Sequence, residues 1–299
     1  MRAFVTGASG WIGSATVAEL IEAGHEVVGL VRSDRAAAAV EALGATALRG
    51  DLDDLDSLRR GADAADAVVH LANKHDWANP AESNRAERAA VETLADALRG
   101  SDHRLVLASG LAMLGLDRAI TEADETQAIG PDSARGGAEH LALSLVDEGV
   151  ASIAMRFAPT VHGRGDHGFI AEVVAAAART GVAGYVGDGT VPWAAVHRSD
   201  AARLVRLAAE GAPAGARLHA VAETAVTGRA IAEAIGARLG LPTASIDPAD
   251  AVAHFGFIGR FLGVPMAATS TATQAMLGWT PTGPTLVDDL AAGAYDHAA

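Results

Sequence analysis

Residues 3–32 read AFVTGASGWIGSATVAELIEAGHEVVGLVR. A short apolar run (AFVT, 3–6) meets Gly7, Gly10 and Gly13, then a helix-like segment (11–23), then a second apolar run (EVVGLV, 26–31). That succession is a strand, a glycine-rich turn, a helix and a parallel strand. Gly7 permits a tight turn, Gly10 lets the backbone approach a diphosphate, and Gly13 allows the helix to pack closely on the strand. The helix start then offers free N–H groups and the positive end of its dipole to an anion. A glycine-rich turn without a ligand would share the bare pattern. The flanking strands and helix are what point to a dinucleotide.

The alternation continues. Apolar runs at 46–50, 66–72, 104–109 and 151–157 are separated by helical periodicity near 35–43, 54–61, 80–99 and 134–148. Repeated βαβ units predict an α/β fold with a doubly wound, Rossmann-like parallel sheet and right-handed crossovers. Beyond Phe157 the pattern changes. A Gly-rich loop (158–168), a helix (168–180), a short strand (184–187), a helix (200–210) capped by Ser199, a strand (217–222) and a helix (227–240) follow. The remainder reads as helical with Pro breaks. The expected division is a nucleotide-binding unit of 1–157 plus about 200–222. Residues 158–200 and 222–299 form a smaller C-terminal substrate lobe at the carboxyl ends of the strands.

Composition narrows the function. The 299 residues carry a net charge of −14, which argues against nucleic acid or an anionic membrane as partner. The absence of Cys excludes disulfides, thiolate metal sites and a Cys nucleophile, and fits a reducing cytoplasm. Glycine arrives too early in MRAFVTGASG for a secretory leader. The longest apolar run, 105–116, is too short for a membrane span. His162 and His167 lack metal-ligand spacing, and the DLDD carboxylates (51–54) read as local structure, so no metal is expected.

After the second strand an acidic residue would accept from the adenosine ribose hydroxyls. Here the position holds Arg32, then Ser33. A guanidinium with a hydroxyl beside it suits a 2′-phosphate, so NADP(H) is expected over NAD(H). Asp51 closes the third strand and can accept from the adenine amino group.

TGASGWIG (6–13), GDLDD (50–54), HLAN (70–73), LVLASG (105–110) and RFAPTVHG (156–163) follow one order. Together with WAAVHRSDAARL (193–204) and LGWTP (277–281) they resemble the extended and atypical short-chain dehydrogenases/reductases, of the epimerase/dehydratase-like and 3β-hydroxysteroid-dehydrogenase-like kind. The resemblance implies cofactor contacts at Gly7, Ser9, Gly10, Trp11, Ile12, Arg32, Asp51, Leu52, Leu71, Ala72 and Asn73. It places the backbone of Phe157–Thr160, Pro159 included, near the nicotinamide. It also implies dimerisation through the helices near 80–99 and 134–148.

The same resemblance demands a tyrosine four residues before a lysine, opening the helix before strand six, and a serine ending strand five. The lysine lowers the phenol's pKa and holds the nicotinamide ribose. That helix begins DSARGGAEHL (132–141), and the pair is absent. The tyrosines are Tyr185 and Tyr295, and the lysine is Lys74. Arg135 occupies the lysine position and Pro131 the tyrosine position. Arg135 can hold a ribose or phosphate, or pair with Glu139 on the solvated face, but it cannot act as an acid near neutral pH. Ser109 sits where a carbonyl would be polarised. The remaining donors to weigh are His162 and His167, which flank the Gly-rich loop near the nicotinamide, and Tyr185 facing the cleft, with Asn73, Lys74 and His75 at the rim. Trp193 and Phe255, Phe257 and Phe261 line an apolar pocket or pack a core, and His197 with Asp200 forms a structural corner.

The expected function is an NADP(H)-dependent reductase acting on a small or medium apolar carbonyl, enone or imine without the usual acid. The alternatives are a redox-inactive NADP(H) sensor or scaffold, and a sugar-type epimerase/dehydratase.

Overall fold

The computed structural model describes residues 1–299 except Trp77 and Leu116, and except the side chain of Met113. Its first half alternates strand and helix: β1 (Arg2–Thr6), α1 (Trp11–Glu22), β2 (Glu26–Val31), α2 (Asp34–Glu41), β3 (Thr46–Arg49), α3 (Leu55–Asp63), β4 (Ala67–His70), α4 (Pro80–Leu98), β5 (Arg104–Gly110), α5 (Ala138–Ser144) and β6 (Ala151–Phe157). The second half contains β7 (Thr160–His162), α6 (Phe169–Thr180), β8 (Ala183–Val186), β9 (Pro192–His197), α7 (Arg198–Gly211), β10 (Arg217–Ala220), β11 (Glu223–Thr227), α8 (Gly228–Leu239) and β12 (Thr243–Ile246). The chain closes with α9 (Ala251–Phe255), α10 (Thr271–Leu277) and α11 (Leu286–Ala291).

The main sheet has seven parallel strands in the order β3–β2–β1–β4–β5–β6–β10. The order reverses between β1 and β4, so the loops after these two strands splay apart and leave a crevice at their carboxyl ends. Side chains of β1 alternate between the two faces. Ala3 and Val5 enter one core with Val17, Leu20 and Val205, from α1 and α7. Phe4 enters another with Leu58 and Leu94, from α3 and α4. The expected doubly wound sheet is what the chain forms.

A separate apolar cluster unites α6, β8, α8 and α11. β9 bridges the cores: Ala194 and Val196 face the cluster under the main sheet, while Trp193 and Ala195 face the second. β9 pairs with β7 in parallel and β11 antiparallel, and β12 pairs with β8.

Several local expectations are corrected. β12 lies in a region expected to be helical, and β11 between a strand and a helix where no element was expected. α7 begins at Arg198, capped by the His197 ring accepting from Ser199 N, instead of by Ser199. The expected helix over 134–148 does not start at its Ser: Arg135, Gly136 and Gly137 are all left-handed (φ 53°, 61° and 65°), and α5 begins only at Ala138. Glycine is required in that turn because a Cβ on Gly136 would lie 2.4 Å from Asn84 O and one on Gly137 2.4 Å from Ile129 O. His197 meets Ser199 Oγ at 2.7 Å instead of Asp200, which accepts from the backbone N–H groups of Thr282 and Gly283.

Candidate functional site

The crevice between β1 and β4 is a cleft of about 830 Å³. Its floor is the glycine-rich turn. Gly7 is left-handed (φ 68°), and a Cβ there would lie 2.8 Å from Ala72 N. A Cβ on Gly13 would lie 2.0 Å from Gly7 O. The turn therefore closes only with glycine at both positions, and it brings the strand ends and the α1 N-terminus together. Gly10 caps α1 without a side chain, and Ser14 is the first residue whose N–H returns to Gly10 O. The N–H groups of Trp11, Ile12 and Gly13 are thus left at the cleft floor. Ser9 lines the same floor. This cradle fits a dinucleotide diphosphate, both in shape and in hydrogen-bond donors.

One wall carries Arg32, Ser33 and Arg35. Ser33 Oγ accepts from Ala36 N and caps α2. Arg32 and Arg35 are exposed, and neither has a carboxylate partner among the described residues. The nearby acid, Asp34, faces Arg49 at 3.4 Å and does not line the cleft. Asp51 and Leu52 complete this wall, with Asp51 Oδ1 accepting from Asp53 N (2.8 Å) and Asp54 N (3.1 Å). Asp54 caps α3. These aspartates are engaged in turns, as expected of local structure. Among the described residues no group of His, Cys, Asp and Glu converges to hold a metal ion.

The opposite wall is the segment after β4: Leu71, Ala72, Asn73, Lys74 and His75. Ala72 N donates to Thr6 Oγ1 (3.2 Å), which meets His70 Nδ1 at 2.8 Å, so β1 and β4 are tied below the cleft. Asn73 is held at both ends of its amide. Its Nδ2 donates to Glu87 Oε2 (2.9 Å) and its Oδ1 accepts from His75 N (2.9 Å). His75 is left-handed (φ 50°), a conformation that costs a non-glycine residue energy and concentrates at working sites. Desolvation and the Arg135 charge push the His75 pKa below its ordinary value, against the pull of Glu87. Lys74 is bridged to Asp53 (2.9 Å) and Glu82 (3.1 Å), a solvated pairing.

Arg135 does not pair with Glu139. Its Nη2 donates to Glu87 at 2.5 Å, and Glu139 is bound instead by the fully buried Arg156 of β6. The left-handed turn at 135–137 redirects the guanidinium toward α4, where helical i,i+4 reasoning would have kept it beside Glu139. Ser109 is the last residue but one of β5, paired with Arg156 across the sheet, and lines a small cavity together with Arg135 and Glu139. Since β4 and β5 are adjacent, the His75 segment and Ser109 emerge at one edge of the sheet.

The structure does not bring the other candidates there. His162 is fully buried between Asp289 (Nδ1, 2.6 Å) and Glu223 (Nε2, 3.6 Å), and it does not line the cleft. Burial opposes charge on its ring, but the two carboxylates outweigh it and raise the pKa. Tyr185 lines a different pocket, between α6 and α8, with Arg229 4.4 Å over its ring. Phe157 and Thr160 are buried, and neither they nor Pro159 line the cleft. Trp193 and Phe255 are core residues of the second cluster, whereas Phe257 is 45% exposed. His167, not His162, reaches the cleft from the Gly-rich loop. The residue missed in sequence is Glu87. A glutamate on a helix facing the sheet reads as a solvated charge until Arg135 and Asn73 are seen to converge on it.

The model of the NAD dependent epimerase/dehydratase family matches residues 3–220. The chain belongs to that family. A protein of Schizosaccharomyces pombe is 43% identical over 296 residues, covering 99% of this chain and 100% of the relative. A 4-hydroxy-2-methyl-3-oxo-4-farnesyl-3,4-dihydroquinoline-1-oxide ketoreductase of Stigmatella aurantiaca is 31% identical over 223 residues, 72% of this chain and 66% of the relative. Among solved structures, MoeE5 in complex with UDP-glucuronic acid and NAD is 27% identical with a TM-score of 0.75, covering 98% of each chain. This membership carries the Rossmann-like fold and a family description built on a nicotinamide cofactor. No helix among the described residues is long and apolar enough to cross a membrane.

Proposed function

We propose that this family member is an NADP(H)-dependent reductase of carbonyl, enone or imine substrates. The observation that carries the reading is the wall of the cleft: among the described residues Arg32 and Arg35 have no carboxylate partner, while Asp34 is turned away onto Arg49. An acid accepting from ribose hydroxyls is thereby replaced by cations suited to a 2′-phosphate. Gly7, Gly10 and Gly13 with the α1 N-terminus would hold the diphosphate. Asp51 retains Oδ2 for the adenine amino group, and Asn73 lies toward the nicotinamide end.

The cofactor supplies a hydride when bound. The chain must then polarise the acceptor and protonate the oxygen or carbon left with negative charge. Ser109 would donate a hydrogen bond to a carbonyl oxygen. Arg135, fixed by Glu87, would supply positive charge near it. Among the described residues, two titratable groups line the cleft at this edge: Lys74, bridged to Asp53 and Glu82, and His75. Its imidazolium would deliver the proton and leave as neutral imidazole. The likeness to a ketoreductase acting on a farnesylated dihydroquinoline supports a carbonyl on an apolar frame.

The test is direct. Dissociation constants for NADPH and NADH are measured by cofactor fluorescence, and NADPH oxidation is then followed against ketones, aldehydes, enones and imines. Preferred binding of NADPH with turnover of a member of the panel is expected. Tight NADPH binding with no turnover, or equal affinity for NADH, would sink the reading.

A further inference from the structure

We propose that His167 contacts the diphosphate of the bound dinucleotide beside the α1 N-terminus. This rests on the reading above that the cleft takes a nicotinamide dinucleotide. The loop after β7 folds back over the start of α1. Trp11 Nε1 donates to Val161 O at 2.7 Å, and Gly163 lies against the same indole, where a Cβ would be 3.5 Å from the ring. His167 then stands edge-on to Trp11, with ring centroids 6.0 Å apart, and lines the cleft beside Gly10, Trp11 and Ile12. Its ring nitrogens have no hydrogen-bond partner among the described residues.

Two further observations make this placement specific. The loop is held from behind: Asp166 is buried, its carboxylate accepts from Gly168 N (2.8 Å) and Tyr295 OH (2.8 Å), and its carbonyl accepts from His297 Nε2 (2.8 Å). With Asp166 turned inward, the next side chain is carried outward into the cleft. The guanidinium near Trp11 is already committed. Arg198 stacks 4.1 Å from the indole centroid, donates to Trp11 O and Ser14 Oγ, and does not line the cleft. A diphosphate on the α1 N–H groups still has oxygens left over, and an imidazole N–H beside Trp11 is a donor that can meet one of them.

The test uses NADP⁺ and 2′-AMP as probes, since 2′-AMP has the 2′-phosphate but no diphosphate. Dissociation constants are measured by calorimetry for the full chain, His167→Ala and His167→Gln. His167→Ala is expected to weaken NADP⁺ about 10-fold. It should leave 2′-AMP within about 2-fold, and His167→Gln, which keeps an N–H donor, should recover part of the loss. Unchanged NADP⁺ affinity in His167→Ala, or an equal loss for 2′-AMP, would overturn the proposal. Failure of the unmodified chain to bind NADP⁺ would instead overturn the functional reading on which it rests.

Discussion

Arg135 donates to Glu87 at 2.5 Å from a left-handed backbone (φ 53°), and the carboxylate it meets is 1% exposed. A buried carboxylate without its cation is costly, and a strained residue persists only when its surroundings hold it there. The pair therefore couples the turn before α5 to the segment after β4, through Asn73 on the same carboxylate.

Removing the cation tests that coupling. Arg135→Met should destabilise the fold by about 2 kcal/mol in urea unfolding. This is less than for a fully buried pair, because the arginine is partly solvated. Adding Glu87→Gln should restore part of the loss. Additive losses in the double variant would show that the two side chains do not depend on each other.

Arg32→Asp should raise the Kd for NADPH about 10- to 100-fold, the loss of a charge-assisted contact to a 2′-phosphate. The Kd for NADH should stay level or fall. Cofactor fluorescence titration measures both, and parallel weakening would remove the basis for an NADP(H) preference.

His75 gives the reduction a pH dependence. Its pKa lies below the ordinary 6.5 because burial and Arg135 disfavour the charged ring. As a proton donor it is competent only while protonated, so kcat/KM for reduction should fall as pH rises through a value below 6.5. His75→Gln should lower kcat about 100-fold and flatten that limb. Ser109→Ala should lower kcat without erasing the limb. A profile unchanged in His75→Gln would assign the proton elsewhere.

His162 titrates the other way. Its folded pKa is raised above the ordinary 6.5 by Asp289 and Glu223. Its contribution to stability is therefore fully present below about pH 6.5 and lost as pH rises through the folded value. The Tm difference between the unmodified chain and His162→Gln should shrink from about pH 6 to about pH 9. A difference that grows with pH would mean the ring is buried neutral.

The fold and the form of the glycine turn are legible in local pattern alone. Gly7, Gly10 and Gly13 sit between a strand and a helix, and the turn closes only with glycine at Gly7 and Gly13. Apolar runs of strand length alternate with 3.6-residue periodicity through β6. These are local signals, set by backbone sterics and by which face of each element is apolar. The missing tyrosine and lysine were equally legible, because absence from a position needs no geometry. Tertiary structure decided the rest. Arg135 met Glu87, 48 residues away in sequence, instead of Glu139, because three left-handed residues turned it. His162 and His167, five positions apart, went to different environments: Asp289 and Glu223 hold the first inside, while the buried Asp166, tied to Tyr295 and His297, precedes the second at the cleft. Tyr185 went to a pocket of the second cluster. The short strands β11 and β12 were unreadable because their partners come from distant segments. Side-chain pairings of this kind depend on how elements pack, and no local period encodes them.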